Sequence, residues 1–135
     1  MSKPTDLYQA AAKVIQRPYV PYSLFPVIAA IRSEAGNIYV GVNVENVSFS
    51  LTCCAEKNAI STMVTQGDKS ISEVLVLVPG PKICPPCGAC RQIIYEFAPP
   101  SCPVHLCTID GDNYVATTAE KLLPGAFFEC DTIAK

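Results

Sequence analysis

Two short cysteine-containing stretches hold the residue types best suited to metal chemistry. They read Thr52-Cys53-Cys54-Ala55-Glu56-Lys57 and Pro85-Pro86-Cys87-Gly88-Ala89-Cys90-Arg91-Gln92. Cys54, Cys87 and Cys90 could supply three thiolates to a zinc ion, which would leave the fourth tetrahedral position open for water, as in catalytic zinc sites. Zinc lowers the pKa of bound water, and Glu56 could then act as the proton shuttle.

Helical spacing explains why these residues could converge on one point. In the first stretch Glu56, Ala59, Ile60 and Met63 follow one helix face, which places a carboxylate on an apolar stripe. A buried carboxylate costs free energy unless it has a strong partner or a chemical role. In the second stretch a similar stripe begins with Cys87 and Cys90. Both sets of cysteines therefore start helices, where unpaired N–H groups lower the pKa of a thiol.

The negative charge of this cluster predicts nearby cations. Three thiolates, a hydroxide and a zinc ion sum to about −2 before Glu56 is counted, by the formal charges of the ligands. Lys57 and Arg91 flank the ligand stretches. We expect them to lie close to the site and to balance its charge.

Other uses of the cysteines remain open at this point. A Cys-x-x-Cys pair also occurs in closed structural zinc sites, where Cys53 or Cys84 would be the fourth ligand, and in thiol redox proteins. Neither use explains a buried Glu56. The single histidine, His105, falls in a predicted strand and is expected to be a core or surface residue and not a ligand. The remaining cysteines are expected to be buried as small apolar groups.

The surrounding pattern predicts an α/β fold, a three-layer α-β-α sandwich around a mixed sheet of about five strands. Val74 to Val78 is apolar on both faces, which is typical of a central strand covered by helices on both sides. A hairpin turn is predicted at 33–37. The other predicted elements are helices over 5–16 and 118–123 and strands over 25–31, 38–44, 104–109 and 114–116.

Composition limits the function classes. The 135 residues predict a single domain over 1–135, and half of them are apolar. The formal net charge is −2, so we expect no polynucleotide partner, which would call for a basic surface. No apolar run reaches transmembrane length and no signal segment is evident, so we expect no membrane partner and a cytoplasmic location.

Several of these motifs together resemble the cytidine deaminase family, in particular its small homotetrameric class with a three-cysteine zinc site. The matching segments are Cys54-Ala55-Glu56, Pro86 to Gln92, Pro21-Tyr22-Ser23-x-Phe25, Gly41-x-Asn43-x-Glu45-Asn46 and Leu122 to Phe127. The resemblance implies one Zn²⁺ per subunit, held by Cys54, Cys87 and Cys90. It implies hydrolytic deamination of cytidine and deoxycytidine to uridine and deoxyuridine, with release of ammonia, in pyrimidine salvage.

The resemblance also implies substrate-binding residues. Asn43 and Glu45, two residues apart at a strand end, would bind the ribose, while Phe25 and Ala55 would line the base pocket. Phe127 would reach an adjacent subunit's site in a homotetramer. This chain departs from the family pattern at Lys57, where arginine is usual, and at Ile28, where glycine is usual. The alternatives are the same chemistry on blasticidin S and a non-catalytic structural zinc module.

Overall fold

A computed structural model describes residues 2–128, and its elements follow the predicted order. A 3₁₀ turn over Phe49–Leu51 is additional. The elements are α1 (Thr5–Ala12), β1 (Ile28–Ser33), β2 (Ile38–Val42), α2 (Ala55–Thr65), β3 (Ile71–Val78), α3 (Gly88–Phe97), β4 (Pro103–Thr108), β5 (Tyr114–Thr118) and α4 (Ala119–Leu122).

The strands form one mixed sheet with the order β2-β1-β3-β4-β5. β1 pairs antiparallel with β2 and with β3, β3 pairs parallel with β4, and β4 pairs antiparallel with β5. The β1–β2 hairpin turns at Gly36, whose φ of +90° suits a residue without a side chain. The five-stranded α/β architecture and the predicted hairpin are therefore confirmed.

The two faces of the sheet bury separate apolar clusters, and β3 contributes to both. Leu75 and Leu77 face α1, whereas Val74, Val76 and Val78 belong to the cluster with α2 and α3. All five side chains are at most 2% exposed. This alternation is the double burial predicted for a central strand.

Several predicted boundaries are wrong by a few residues. The first helix ends at Ala12 and not at Gln16, because Val14 and Ile15 donate to carbonyls only three residues back. Its N-cap is Pro4. The second strand ends at Val42 and not at Val44.

The first strand also begins later than predicted, at Ile28 and not at Phe25. Pro26 has no N–H to donate to a neighbouring strand. The Phe25 carbonyl and the Val27 N–H on either side of it bond instead to the amide of Asn43. A side chain thus replaces the ladder over this segment.

Helix α2 lies unusually close to edge strand β2 because Gly41 has no side chain. A Cβ at Gly41 would lie closer than 3.0 Å to the Ala55 carbonyl oxygen and to the Ala59 nitrogen, both backbone atoms. Asn58 fixes the same contact by donating from Nδ2 to the Val42 carbonyl at 2.8 Å. The start of α2, which carries the first cysteine ligand, is therefore positioned by direct backbone packing.

No helix within residues 2–128 has the length and apolar character needed to cross a membrane.

Candidate active site

The three predicted zinc ligands meet at the starts of two helices. Cys54 is the N-cap of α2, Cys87 is the N-cap of α3, and Cys90 lies in the first turn of α3. Their Sγ atoms all lie within 4.8 Å of one another, and those of Cys54 and Cys87 are 3.9 Å apart. Two thiolates on a tetrahedral zinc, with Zn–S of about 2.3 Å, would be about 3.8 Å apart. The donor set and its spacing therefore fit zinc.

The backbone makes this convergence possible without using the thiols. Each N-cap carbonyl accepts the first helical hydrogen bond, from Asn58 to Cys54 and from Arg91 to Cys87, both at 3.0 Å. The two sulfur atoms project from these helix starts toward each other.

The pKa shifts of the three thiols indicate that a cation would stabilise the cluster. Burial and the neighbouring negative groups raise the pKa of Cys90, and burial likewise raises the pKa of Cys54. Burial would also raise the pKa of Cys87, but hydrogen bonds, including those from the backbone of Cys90 and Ala89, outweigh it and lower that pKa. Thiols that oppose one another's ionisation in this way are the ligands that a divalent cation stabilises as thiolates.

Glu56 lies beside the thiols and is only 4% exposed, as its helical phase predicted. Burial raises the pKa of its carboxyl group. A raised pKa brings a carboxylic acid closer to the operating range of a general acid–base. The group can therefore carry a proton in a setting where an exposed glutamate would be ionised.

A cavity of about 500 Å³ opens beside the thiols. Its walls combine an apolar surface with a few polar groups, the usual composition of a small-molecule site. The lining residues are Phe25, Val27, Asn43, Thr52, Cys54, Ala55, Glu56, Val76, Val78, Cys84, Pro85, Pro86, Cys87 and Arg91. Phe25, Asn43 and Ala55, predicted as substrate-binding residues, are among them.

Asn43 and Glu45 hold the chain segment that forms one wall of the cavity. Asn43 bonds through both amide atoms to backbone groups of Phe25 and Val27, as described above. Glu45 Oε1 accepts the N–H groups of Tyr22 and Ser23, each at 3.1 Å, and Glu45 does not line the cavity. Within residues 2–128, one Nδ2 hydrogen of Asn43 has no acceptor.

The two predicted cations differ in position. Arg91 lines the cavity and donates from Nε to the Pro86 carbonyl at 2.8 Å and from Nη1 to the Leu122 carbonyl at 2.9 Å. Its guanidinium thus connects the loop before Cys87 to the end of α4. Lys57 is exposed and does not line the cavity, and its side chain makes no hydrogen bond with residues 2–128.

Comparison of the chain with known proteins identifies its family. Residues 1–106 match the family model described as the cytidine and deoxycytidylate deaminase zinc-binding region. The chain belongs to this family. It is 45% identical over 125 residues to a cytidine deaminase from Sporosarcina psychrophila, covering 93% of this chain and 91% of that protein.

Structural comparison agrees with this family assignment. The crystal structure of a cytidine deaminase from Burkholderia pseudomallei superposes with a TM-score of 0.86 at 35% identity, covering 93% of this chain and all of that one. A blasticidin-S deaminase from Bacillus cereus is 36% identical over 105 residues, covering 71% of this chain and 72% of that protein. The protein is therefore an enzyme of the deaminase family, a hydrolase with a candidate zinc site.

The remaining predictions for this deaminase have mixed outcomes. Phe127 is 71% exposed and lies outside the cavity of its own chain, while its carbonyl accepts a 2.7 Å hydrogen bond from Gln92. His105 is fully buried, and its two ring nitrogens are hydrogen-bonded to Tyr114 and Glu73. It is therefore a core residue, which is one of the two placements expected from the sequence.

Two predictions about the other cysteines are confirmed and two are wrong. Cys102 and Cys107 are buried, but Cys84 is exposed in the cavity wall and Cys53 is only partly buried. Pro85 and Pro86 directly follow Cys84, and neither has an N–H group with which to join a helix or a sheet. Cys130 lies outside the described residues.

Sequence reasoning did not single out Thr52 as a site residue. Its position two residues before Cys54 was an available signal, because residues two apart on an extended segment point the same way.

Proposed function

We propose that this protein deaminates cytidine and deoxycytidine to uridine and deoxyuridine with release of ammonia, as a step of pyrimidine salvage. The observation that carries the proposal is a buried Glu56 with a raised pKa next to three clustered thiols, at the inner end of a cavity large enough for a nucleoside. A structural zinc site has no use for such a carboxyl group.

The proposed cofactor is one Zn²⁺ per subunit on Cys54, Cys87 and Cys90. When bound, zinc would act as a Lewis acid that lowers the pKa of water. Glu56 would take the proton released from that water on a carboxylate oxygen. It would pass this proton to N3 of the pyrimidine ring and then transfer the second proton of the added water to the departing amine, so that water and cytidine become uridine and ammonia.

Substrate positioning falls to the rest of the cavity. Phe25 would contact the flat base, and the backbone at Ala55 would face its polar edge. The second Nδ2 hydrogen of Asn43 could be donated to a ribose hydroxyl, and the Glu45 carboxylate could accept from one. Glu45 does not line the cavity, so its carboxylate would have to reach the sugar from behind the Tyr22–Ser23 segment that it holds in place.

We further propose a homotetramer, in which Phe127 reaches an adjacent subunit's site. Its support is a set of exposed apolar side chains in the segments next to the cavity residues Phe25 and Thr52 in the sequence, namely Tyr22, Leu24, Val47, Phe49 and Leu51. Tyr22 and Phe49 contact each other edge to face, with ring centroids 5.8 Å apart. Exposed apolar side chains that lie together commonly mark a protein interface.

A cytoplasmic location is likewise a proposal. Its support is that all seven cysteines in residues 2–128 are free thiols, which suits a reducing compartment.

The decisive experiment assays purified protein on cytidine and deoxycytidine while zinc is quantified, beside Glu56→Gln. We expect Glu56→Gln to retain zinc and to lose about 10²–10⁴-fold in kcat, the usual contribution of a general acid–base. Glu96→Gln, the same change at an exposed position of α3, is the matched control and should match wild type.

The same assay separates the alternatives. Turnover of blasticidin S without turnover of either nucleoside would replace the proposed substrate while keeping the chemistry. Full activity of Glu56→Gln would reject the role of Glu56. Zinc with four protein ligands would indicate a closed structural site, and a reversible Cys87–Cys90 disulfide without stoichiometric metal would indicate a redox protein.

A further inference from the structure

Most polar side chains in the cavity wall are already committed to other parts of the protein. The Asn43 amide bonds to two backbone groups, and the Arg91 guanidinium bonds to two carbonyls. Thr52 differs. Its side chain lines the cavity, and no hydrogen bond within residues 2–128 uses its hydroxyl. A half-buried hydroxyl with no protein partner is available to a ligand, both as a donor and as an acceptor.

The backbone places Thr52 in the cavity wall. Cys53 exchanges two 2.9 Å backbone hydrogen bonds with Val44 in an antiparallel bridge, which fixes the segment. The residues on either side of Cys53, Thr52 and Cys54, both line the cavity, whereas the Cys53 thiol turns back to the Leu51 carbonyl.

Spacing indicates which part of a nucleoside would meet Thr52. Two residues along an extended segment are separated by about 6.6 Å. The reacting carbon of the base must lie at the thiol cluster, and the sugar is attached at the opposite end of the same rigid ring. The antiparallel bridge between Val44 and Cys53 sets Thr52 opposite Glu45, which is proposed to meet the ribose. Thr52 is therefore placed toward the sugar end of the substrate.

We infer that Thr52 is a specificity-determining residue, whose hydroxyl hydrogen-bonds to a sugar hydroxyl of the bound nucleoside. The inference rests on the proposed function. The contact is made equally before and during reaction because the sugar takes no part in bond making. Thr52 therefore contributes to binding, and its removal raises KM with kcat unchanged.

The test compares Thr52→Val, which has nearly the same shape but no hydroxyl, with Thr52→Ser, which keeps it. We expect Thr52→Val to raise KM for cytidine about fivefold with kcat within about twofold, the loss of one neutral hydrogen bond. Thr52→Ser should restore KM to within about twofold of wild type. Zinc content and the thermal unfolding midpoint, measured on the same preparations, check that the site stays intact.

Analogues that lack single hydroxyls identify the contact. The Thr52→Val penalty should disappear for one of 2′-deoxycytidine, 3′-deoxycytidine and 5′-deoxycytidine and persist for the other two. A penalty equal for all three overturns the inference, as does a KM for Thr52→Val equal to that of wild type. If Thr52→Val does not fold, calorimetric binding of uridine and its deoxy analogues to Thr52→Ala decides the same question.

These outcomes are separate from failure of the proposed function. A zinc-loaded wild-type protein that turns over neither nucleoside rejects the proposed function and overturns this inference with it. Active wild-type enzyme with equal KM for the Thr52→Val and Thr52→Ser variants overturns only the inference about Thr52.

Discussion

Substituting Gly41 tests whether close backbone packing positions the site. In Gly41→Ala the added Cβ would lie within 3.0 Å of the Ala55 carbonyl oxygen and of the Ala59 nitrogen, and at 3.0 Å from the Ala59 Cα. All three are backbone atoms of α2, so no side chain can rotate away. Restoring ordinary contact distances would require α2 to move from β2 by on the order of 1 Å.

The expected magnitude follows from that displacement. Overpacking of this kind costs about 1–3 kcal/mol of unfolding free energy. The start of α2 carries Cys54 and Glu56, and a displacement of about 1 Å at reacting groups can lower kcat/KM by about 100-fold. We therefore expect Gly41→Ala to lose about 1–3 kcal/mol of unfolding free energy in urea titrations and about 100-fold in kcat/KM.

Gly88 offers a matched control beside the other helix start. It immediately follows Cys87, and a Cβ there would meet nothing within 4 Å. Gly88→Ala should match wild type in activity and gain about 0.4–1 kcal/mol, because alanine restricts the unfolded chain. Gly41→Ala with a urea midpoint and a kcat/KM within twofold of wild type would refute the packing argument. Equal losses in both variants would show sensitivity to any added methyl group.

Three further variants test other parts of the structure. Asp68 accepts three side-chain hydrogen bonds, which lower the pKa of its carboxyl group. The stability that these bonds contribute is therefore present above the unfolded-state pKa and is lost as pH falls through the lowered folded-state pKa. Asp68→Asn should therefore lower the urea midpoint at pH 7, and its gap to wild type should narrow as pH falls through the lowered folded-state pKa. Asp112→Asn, at an exposed position, should leave the urea midpoint unchanged at both acid and neutral pH. A gap for Asp68→Asn that does not narrow in acid would contradict this reasoning. Arg91→Lys keeps the charge but cannot bridge two carbonyls, so it should lower the thermal unfolding midpoint as much as Arg91→Gln. If Arg91→Lys kept the wild-type midpoint while Arg91→Gln did not, the positive charge alone would be sufficient. His105→Phe should lower the unfolding free energy by about 1–3 kcal/mol in urea titrations, because Tyr114 and Glu73 each lose a hydrogen bond. Its kcat should be unchanged, since His105 pairs with Leu75 on the sheet face toward α1. A large fall in kcat would argue against that placement.

The parts of the site that the sequence predicted correctly depend on local geometry. Helical phase alone places Cys90 and Glu56 on inward faces, because a period of 3.6 residues relates positions within one helix. The same prediction is wrong for Cys87, which is the exposed N-cap just outside α3. The double burial of Val74 to Val78 is equally local, since strand alternation and unbroken apolar character suffice. Neither inference needs to know what the element packs against.

The parts that it missed depend on contacts between distant segments. The first strand starts late because Asn43, 16 residues away from Val27, takes its N–H group. The two guanidinium bonds of Arg91 join residues that are 5 and 31 positions away. Cys84 is exposed because of how its proline-rich loop borders the cavity, which composition does not encode. Periodicity describes one element at a time and gives no account of such contacts.

The charge balance of the cluster illustrates the same difference. Sequence proximity indicated Lys57 and Arg91 as the balancing cations, yet Lys57 is exposed without a hydrogen bond and Arg91 bonds to two carbonyls. The pKa of Cys87 is nevertheless lowered, by hydrogen bonds that include the backbone N–H groups of Cys90 and Ala89. The groups that favour the thiolate are thus the unpaired amides of the first turn of α3, supported by the helix dipole. Because these amides are fixed by the fold, the site prepares for a cation with its backbone, and a lysine in the place of the usual arginine is compatible with it.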